Sequence, residues 1–191
     1  MDFNNVRQEN INSEGGDVVG RDKIDNRTIF NNHIRPANQY MQDLISKFKE
    51  DEKNNCRITD IIDNLNHYSV NIDDDEVFDL QYKLEAGGRS SEYKRAALLK
   101  ERISKKIKLN EQSEAAQEIY AYVLSQICSD FHLYVKPHLS ENTIPNINIL
   151  IDEKVIKPAM ETLGENVLRL LKDDINGMIY FLTGNCHIKW V

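Results

Sequence analysis

The stretch SEAAQEIYAYVLSQICSDFHLYV, residues 113–135, carries the strongest helix signal in the chain. Its apolar residues recur every three or four positions, which places them on one broad face of a helix. They are Ala116, Tyr120, Val123, Leu124, Ile127, Phe131 and Tyr134. A face this wide has to be covered by several neighbours. The stretch therefore predicts the central helix of the core, ended by Pro137 because proline lacks a backbone N–H.

Amphipathic segments on both sides of this stretch predict a mainly α protein. Four precede it: ANQYMQDLISKFKED (37–51), the weaker ITDIIDNLNHY (58–68), DDDEVFDLQYKLEAGG (73–88) and EYKRAALLKERISKKIKL (92–109). Three follow it: ILIDEKVIKPAMETLG (149–164), ENVLRLLKDD (165–174) and INGMIYFLTG (175–184), with an extended tail NCHIKWV after them. The first of these three is also compatible with a short strand, but its apolar spacing favours a helix kinked at Pro158.

The helix that precedes residue 89 has both of its ends marked. Asp73 is placed to cap it, and Glu76 stands three residues later, as in a capping box. Gly87 and Gly88 then favour its termination. The run of acids at its start is explained by the cap and the helix dipole, without a bound cation.

Residues 1–36 differ in kind from the rest of the chain. They are rich in Asn, Gly and Asp, which favour tight turns over helix or strand interiors, and their apolar residues are too few to bury a core. The sequence thus predicts a short β or extended appendage over 1–36 and a helical domain of about six to seven helices over 37–191.

Two strings at the ends of the chain resemble known families. GGDVVGRDKI, residues 15–24, resembles a short N-terminal motif found on assorted bacterial conflict-system proteins ahead of otherwise unrelated domains. GMIYFLTGNCHIKW, residues 177–190, resembles the C-terminal signature of small domains in the ABC three-component systems, which are related to Lamassu and centre on an SMC-like ATPase. The resemblance implies an accessory subunit of a bacterial anti-phage complex, with that ATPase and other subunits as its partners.

The first string predicts homo-oligomerisation or ordered docking, against the alternative of a flexible tail. Its glycines permit close backbone approach, its valines offer β-branched surface, and its charges alternate in sign. The residues expected to interact there are Gly15, Gly16, Asp17, Val18, Val19, Gly20, Arg21, Asp22, Lys23 and Ile24. Near the other end, we expect Phe181, Ile188 and Trp190 to close the core or a partner interface, because large aromatic residues dominate both.

No constellation of catalytic, metal-binding or cofactor-binding residues stands out, which predicts a non-enzymatic protein with no cofactor. Cys56, Cys128 and Cys186 are too widely spaced for a zinc motif and predict free thiols. In the extended tail, Cys186 and Ile188 are expected to face inward, with His187 and Lys189 outward. Asp152 and Lys154 resemble half of a restriction-type nuclease motif, but the predicted helix argues against that role.

One segment is strongly basic, although the chain carries a formal charge of −7. Residues 89–109 hold eight basic residues and two acidic ones. Three interpretations remain open: a solvated face paired with the acidic DDDEVFD upstream, a surface for an acidic protein partner, or a DNA-binding regulator. The nucleic-acid candidates are Lys94, Arg95, Arg102, Lys105, Lys106 and Lys108. The chain shows no leader and no membrane span, which predicts a cytoplasmic location.

Overall fold

The computed structural model describes residues 39–70 and 79–191, and in them it confirms a mainly helical fold of seven continuous helical segments without strands. The α-helices are α1 Gln39–Asn54, α2 Asp63–Ser69, α3 Leu80–Ala86, α4 Tyr93–Leu109, α5 Glu114–Asp130, α6 Ile144–Ile151, α7 Lys157–Leu163 and α8 Lys172–Gly184. A π turn, Asp152–Ile156, joins α6 to α7 in one segment. The appendage predicted over 1–36 and the predicted Asp73–Glu76 capping box lie outside the described residues.

Helix α5 is the centre of the core, as its sequence predicts. Ser113 caps it by accepting the backbone N–H of Ala116 at 3.2 Å. Helices α1, α2, α7 and α8 all pack against it, so its side chains are buried around most of its circumference. The buried Gln117 accepts the backbone N–H of Ile62 at 2.8 Å and donates to the carbonyl of Asp60, which fixes the approach of α2.

The most extensive helix pair is α4 against α8. The two backbones come close at Gly177, where an added Cβ would lie 2.5 Å from the carbonyl oxygen of Leu99. Only a residue without a side chain fits this crossing. The pairing holds the N-terminal half of α4 beside the C-terminal half of α8, where the tail begins.

Pro137 and Pro158 each follow a π turn, whereas Pro145 lies in the first turn of α6. The turn Phe131–Val135 continues α5 and leads into a single 3-10 turn, Lys136–His138, which contains Pro137. The turn Asp152–Ile156 precedes Pro158 in the first turn of α7. A proline cannot donate to the preceding turn, and the wider turn accommodates the missing bond. The predicted helix through Pro158 is therefore confirmed.

One predicted helix is wrong. Residues 165–171 of ENVLRLLKDD form turns and irregular backbone, and only Lys172 onward joins α8. The Asn166 side chain accepts the backbone N–H of Leu170 at 2.8 Å and donates to its carbonyl, so it competes with helical bonding. Leu168 and Leu170 alternate inward from this loop and are buried.

Candidate partner-binding cleft

A cleft of about 330 Å³ lies where the start of α4, the α6 segment, α8 and the tail meet. We call it the Trp190 cleft. Its lining residues are Arg89, Glu92, Arg95, Asn148, Ile151, Asp152, Ile156, Lys172, Asn176, Ile179, Tyr180 and Trp190. The lining thus combines an aromatic ring and isoleucines with charged groups of both signs.

Arg89 is the most buried charged group of the cleft. The whole residue is only 2% exposed, and its guanidinium lies 4.4 Å from the centroid of the Trp190 ring, a cation–π contact. It donates to both carboxylate oxygens of Glu92 at 2.8 Å and to the side-chain oxygen of Asn148 at 2.9 Å. The charge is therefore fully paired, and the side chain holds α6 and the tail to the start of α4.

Trp190 forms the buried wall of the cleft. Its indole N–H donates to the Thr183 hydroxyl at 3.1 Å, and its ring meets Phe131 edge to face at 5.0 Å. Gly87 packs directly against it, since an added Cβ there would lie 2.4 Å from the Trp190 Cβ. Gly87 therefore ends α3 and, because it has no side chain, also allows the tail to pack closely against it.

The structure buries all three of the interaction residues expected near the end of the chain, namely Phe181, Ile188 and Trp190. Within the described residues they belong to the core, and Trp190 alone also lines the cleft. A direct contact of these residues with a partner stays a prediction. The ten candidate residues from Gly15 to Ile24 lie outside the described part of the chain.

Acidic groups of the cleft are also engaged. The Tyr180 hydroxyl lies 3.5 Å from the Glu92 carboxylate. Burial raises the pKa of the Tyr180 hydroxyl, and the charge of Glu92 raises it further. Asp152 pairs with Lys172 and lies 3.8 Å from the Lys157 ammonium. Among residues 39–70 and 79–191, no group of three or more His, Cys, Asp or Glu side chains is arranged to hold a metal ion.

The basic candidates of α4 divide into two faces. Toward α8, Arg95 pairs with Asp173 at 3.0 Å, while Arg102 and Lys106 both pair with Asp174 at 2.8 Å. The other candidates lie away from that pairing: Lys94, Lys105 and Lys108 are exposed, and Lys105 binds Glu101 within α4. Much of the positive charge on this face is therefore compensated by the start of α8. The upstream acids at 73–76, which the sequence suggested as partners, lie outside the described residues.

Asp174 is the buried centre of that compensation. Its side chain is 0% exposed and accepts the backbone N–H of Leu171 at 2.7 Å in addition to Arg102 and Lys106. Burial by itself raises the pKa of the carboxyl group, but the Leu171 N–H and the two cations outweigh it, so the pKa is lowered. The carboxylate is the form that the fold stabilises.

The tail departs from the expected alternation at one residue. Cys186 has a positive φ of 65°, which turns the chain so that Cys186, His187 and Ile188 are all buried while Lys189 is exposed. The prediction that His187 faces outward is therefore wrong. Its ring packs 5.2 Å from both His67 and Tyr68 of α2, and burial followed by His67 lowers its pKa.

Sequence reasoning missed most of the cleft lining, with Arg89 at its centre, and it also missed the buried position of His187 beside α2. Arg89 looks like one more member of a basic run, and nothing local indicates that Asn148, 59 positions away, supplies its acceptor. The buried position of His187 follows from the positive φ of the preceding residue, Cys186. The Gly87–Gly88 pair was the available signal, since it marks a place where another segment can approach the backbone.

These features define a class of protein, an all-helical domain whose C-terminal tail folds back to complete both its core and a mixed-charge cleft. Residues 79–190 match the family model of C-terminal domain 9 of the ABC-three component (ABC-3C) systems, and the chain belongs to this family. The predicted resemblance to these systems is confirmed. The match starts at Asp79, the N-cap of α3, and ends at Trp190, so it contains every residue of the cleft. No curated protein and no solved structure matches the chain.

Family membership makes the chain a component of an ABC three-component system. The helices in the described ranges include none with the length and apolar character needed to cross a bilayer.

Proposed function

We propose that the chain is a non-enzymatic interaction subunit of a bacterial anti-phage system and that it binds the SMC-like ATPase of that system. The observation that carries the proposal is the Trp190 cleft, which lies wholly inside the residues that match the family. Its contribution would be binding energy and placement of other subunits, not bond chemistry.

The ordering of the cleft supports a role in recognition. Trp, Tyr and Arg are the residues that most often dominate binding energy at protein interfaces, and all three line the cleft. Arg89, Glu92 and Asn148 are already locked together, so a partner does not have to order them. A rigid surface of this kind loses little conformational entropy on binding.

The rim of the cleft indicates an acidic partner segment. Arg95 and Lys172 stand at the rim with side chains 70% and 60% exposed, whereas Arg89 is buried and fully paired. Their acidic neighbours, Asp173 and Asp152, are about half or more covered. A carboxylate on a partner would therefore meet the two accessible cations first, and such rim charges act mainly on the rate and specificity of association.

A charge-reversal pair tests this assignment. The double variant Arg95→Glu with Lys172→Glu is expected to weaken capture of the ATPase encoded in the same system by about tenfold or more at low salt. Lys94→Glu with Lys108→Glu is the matched control, because it changes the net charge equally on exposed positions outside the cleft. Equal loss in both variants, or no loss in either after nuclease treatment, would refute the cleft as the binding site.

Self-assembly through residues 15–24 is a separate part of the proposal. Deleting them is expected to lower the molar mass in solution from an oligomer to one chain, measured by size-exclusion chromatography with light scattering. An unchanged molar mass would show that residues 15–24 do not mediate self-assembly.

Nucleic-acid binding remains the second candidate function, favoured by the exposed Lys94, Lys105 and Lys108 on the outer face of α4. The control variant described above, Lys94→Glu with Lys108→Glu, tests nucleic-acid binding directly. Loss of DNA retention in Lys94→Glu with Lys108→Glu, with a flatter salt dependence, would support it. Retention that follows Arg95 and Lys172 instead would argue against it.

A further inference from the structure

A cysteine and a lysine from distant parts of the chain meet at the end of α8. The Lys83 ammonium, on α3, lies 2.8 Å from the Cys186 sulfur and donates to the Gly184 carbonyl, also at 2.8 Å. The cleft does not use this pair, because neither residue is among its lining residues. Packing holds the sulfur in place, since Cys186 is only 7% exposed.

The backbone of Cys186 is fixed at the end of α8. Cys186 adopts a φ of 65°, and its N–H donates to the Thr183 carbonyl at 3.2 Å, which closes the end of α8. A non-glycine residue seldom adopts this conformation. In this conformation the thiol contacts Lys83 of α3.

A second amine lies beside the first. The end of the Lys100 side chain touches Gly184, where an added Cβ would lie 2.2 Å from the Lys100 nitrogen. The pKa of Lys100 is lowered by burial and then by the charge of Lys83. Burial and the charge of Lys83 thus favour the uncharged form of Lys100, a base that lies beside the Lys83–Cys186 pair. An amine becomes a nucleophile when it gives up its ammonium proton.

We propose that Cys186 is an oxidation site and that hydrogen peroxide converts it into a covalent nitrogen–sulfur cross-link with Lys83. In the first step the sulfur attacks the peroxide, an S–O bond forms, the O–O bond breaks and water leaves, giving a sulfenic acid. In the second step the Lys83 ammonium gives up one proton to a base such as Lys100, and its nitrogen attacks that sulfur. The N–S bond forms, the S–O bond breaks, and the departing hydroxide takes the proton lost by nitrogen as water. Overall the protein loses two hydrogen atoms and the peroxide becomes two molecules of water.

The other two cysteines provide internal references. The Cys128 sulfur has the His187 carbonyl and the His132 ring nitrogen as neighbours, each at 3.7 Å, and burial raises the pKa of its thiol. Cys56 is exposed. A site-selective reaction at Cys186 therefore separates the effect of the neighbouring amine from simple accessibility.

The cross-link would fasten the tail. It joins positions 103 residues apart and ties α3 to the residues that lead into Trp190. A link across so long a loop restricts the unfolded chain, and by analogy with disulfides it is expected to raise the thermal midpoint by about 4–16 °C.

The test is peptide mapping by mass spectrometry of the Cys56→Ser, Cys128→Ser variant of the 191-residue chain before and after hydrogen peroxide. The expected product joins the peptide of residue 83 to that of residue 186, is lighter by two hydrogen atoms, and reverts with a thiol reductant. Lys83→Arg keeps the positive charge without the amine and is expected to abolish the product and the gain in thermal midpoint.

Three outcomes would overturn the proposal. The first is oxidation of Cys186 to oxygen-bearing acids without a cross-link, and the second is a link to Lys100 instead of Lys83. The third is an unreacted Cys186 in the parent chain under conditions that oxidise Cys56. Because the mapping is done first on a chain that retains Lys83, a folding defect in Lys83→Arg does not decide the result.

Discussion

Replacing Asp174 by Asn removes one negative charge from the interface between α4 and α8 with almost no change in volume. The carboxylate is fully buried and is the shared acceptor of Arg102 and Lys106, each at 2.8 Å. The asparagine keeps one oxygen for the Leu171 N–H but brings two hydrogens toward the cations. The interface then holds two positive charges without their counter-charge.

Breaking a buried ion pair from one side costs about 3–5 kcal/mol. The cost here is smaller, because the Arg102 and Lys106 side chains are 41% and 25% exposed and retain some contact with water. We therefore expect the free energy of unfolding to fall by about 2–3 kcal/mol at pH 7.

The pH dependence gives a second measurement with a fixed sign. The pKa of Asp174 is lowered in the folded chain, so its stabilising contribution is fully present above the pKa of an unfolded aspartate, about 3.9. The contribution is lost as the pH falls through the lower folded value. The gap between the parent and Asp174→Asn should consequently shrink as the pH falls below about 4.

Urea unfolding followed by the fluorescence of Trp190, the single tryptophan of the chain, measures both quantities. Asp173→Asn is the matched control, since it removes the same charge one residue away from a pair whose side chains are 70% and 48% exposed, and it should cost less than about 1 kcal/mol. Equal costs for the two variants, or a gap for Asp174→Asn that persists at low pH, would show that the buried pairing is not what stabilises this interface.

Three further variants probe the close contacts around α8 and the tail. Gly177→Ala should lower the free energy of unfolding by about 1–3 kcal/mol, because the added Cβ would meet the Leu99 carbonyl. Gly184→Ala should cost less, because its Cβ would meet only the flexible end of the Lys100 side chain. Thermal unfolding of the two variants measures the difference. Trp190→Ala should cost about 3–5 kcal/mol in calorimetry, and a loss below 1 kcal/mol would contradict its place in the core. Because the pKa of His187 is lowered in the folded state, stability should fall as the pH drops below about 6.5, and His187→Phe should remove that part of the pH profile in urea titrations.

The sequence predicted those elements whose evidence is local. Apolar spacing locates α4, α5 and α8, and the glycine pair after α3 marks where that helix ends. In residues 165–171 the leucine spacing also fits a helix, and the outcome is decided by the two bonds of Asn166 to Leu170. A single side chain that substitutes for backbone bonding leaves no periodic signal.

The cleft could not be predicted from the sequence, for a different reason. Its shape depends on contacts between positions far apart in sequence, such as Arg89 with Asn148 and Gly87 with Trp190. An arginine in a basic run is ordinarily solvated, and only the tail folding across it explains why this one is buried. The same tail geometry, set by the positive φ of Cys186, reverses the expected exposure of His187.

The residues that match the family do not coincide with the unit that buries the core. The match begins at Asp79, yet Met41, Leu44 and Ile45 of α1 and Leu65 of α2 are buried in the same cluster as α5. Removing residues 39–70, which hold α1, α2 and their connection, would expose the face of α5 on which these helices pack. It would also leave the Gln117 side-chain oxygen without the Ile62 N–H, while its amide group keeps the Glu111 carbonyl at 2.6 Å but loses that of Asp60. A buried acceptor that loses its donor costs about 1–3 kcal/mol in addition to the lost apolar contacts. The cleft therefore depends on helices that lie outside the family match, and binding by the cleft is a property of the chain from α1 onward rather than of residues 79–190 alone.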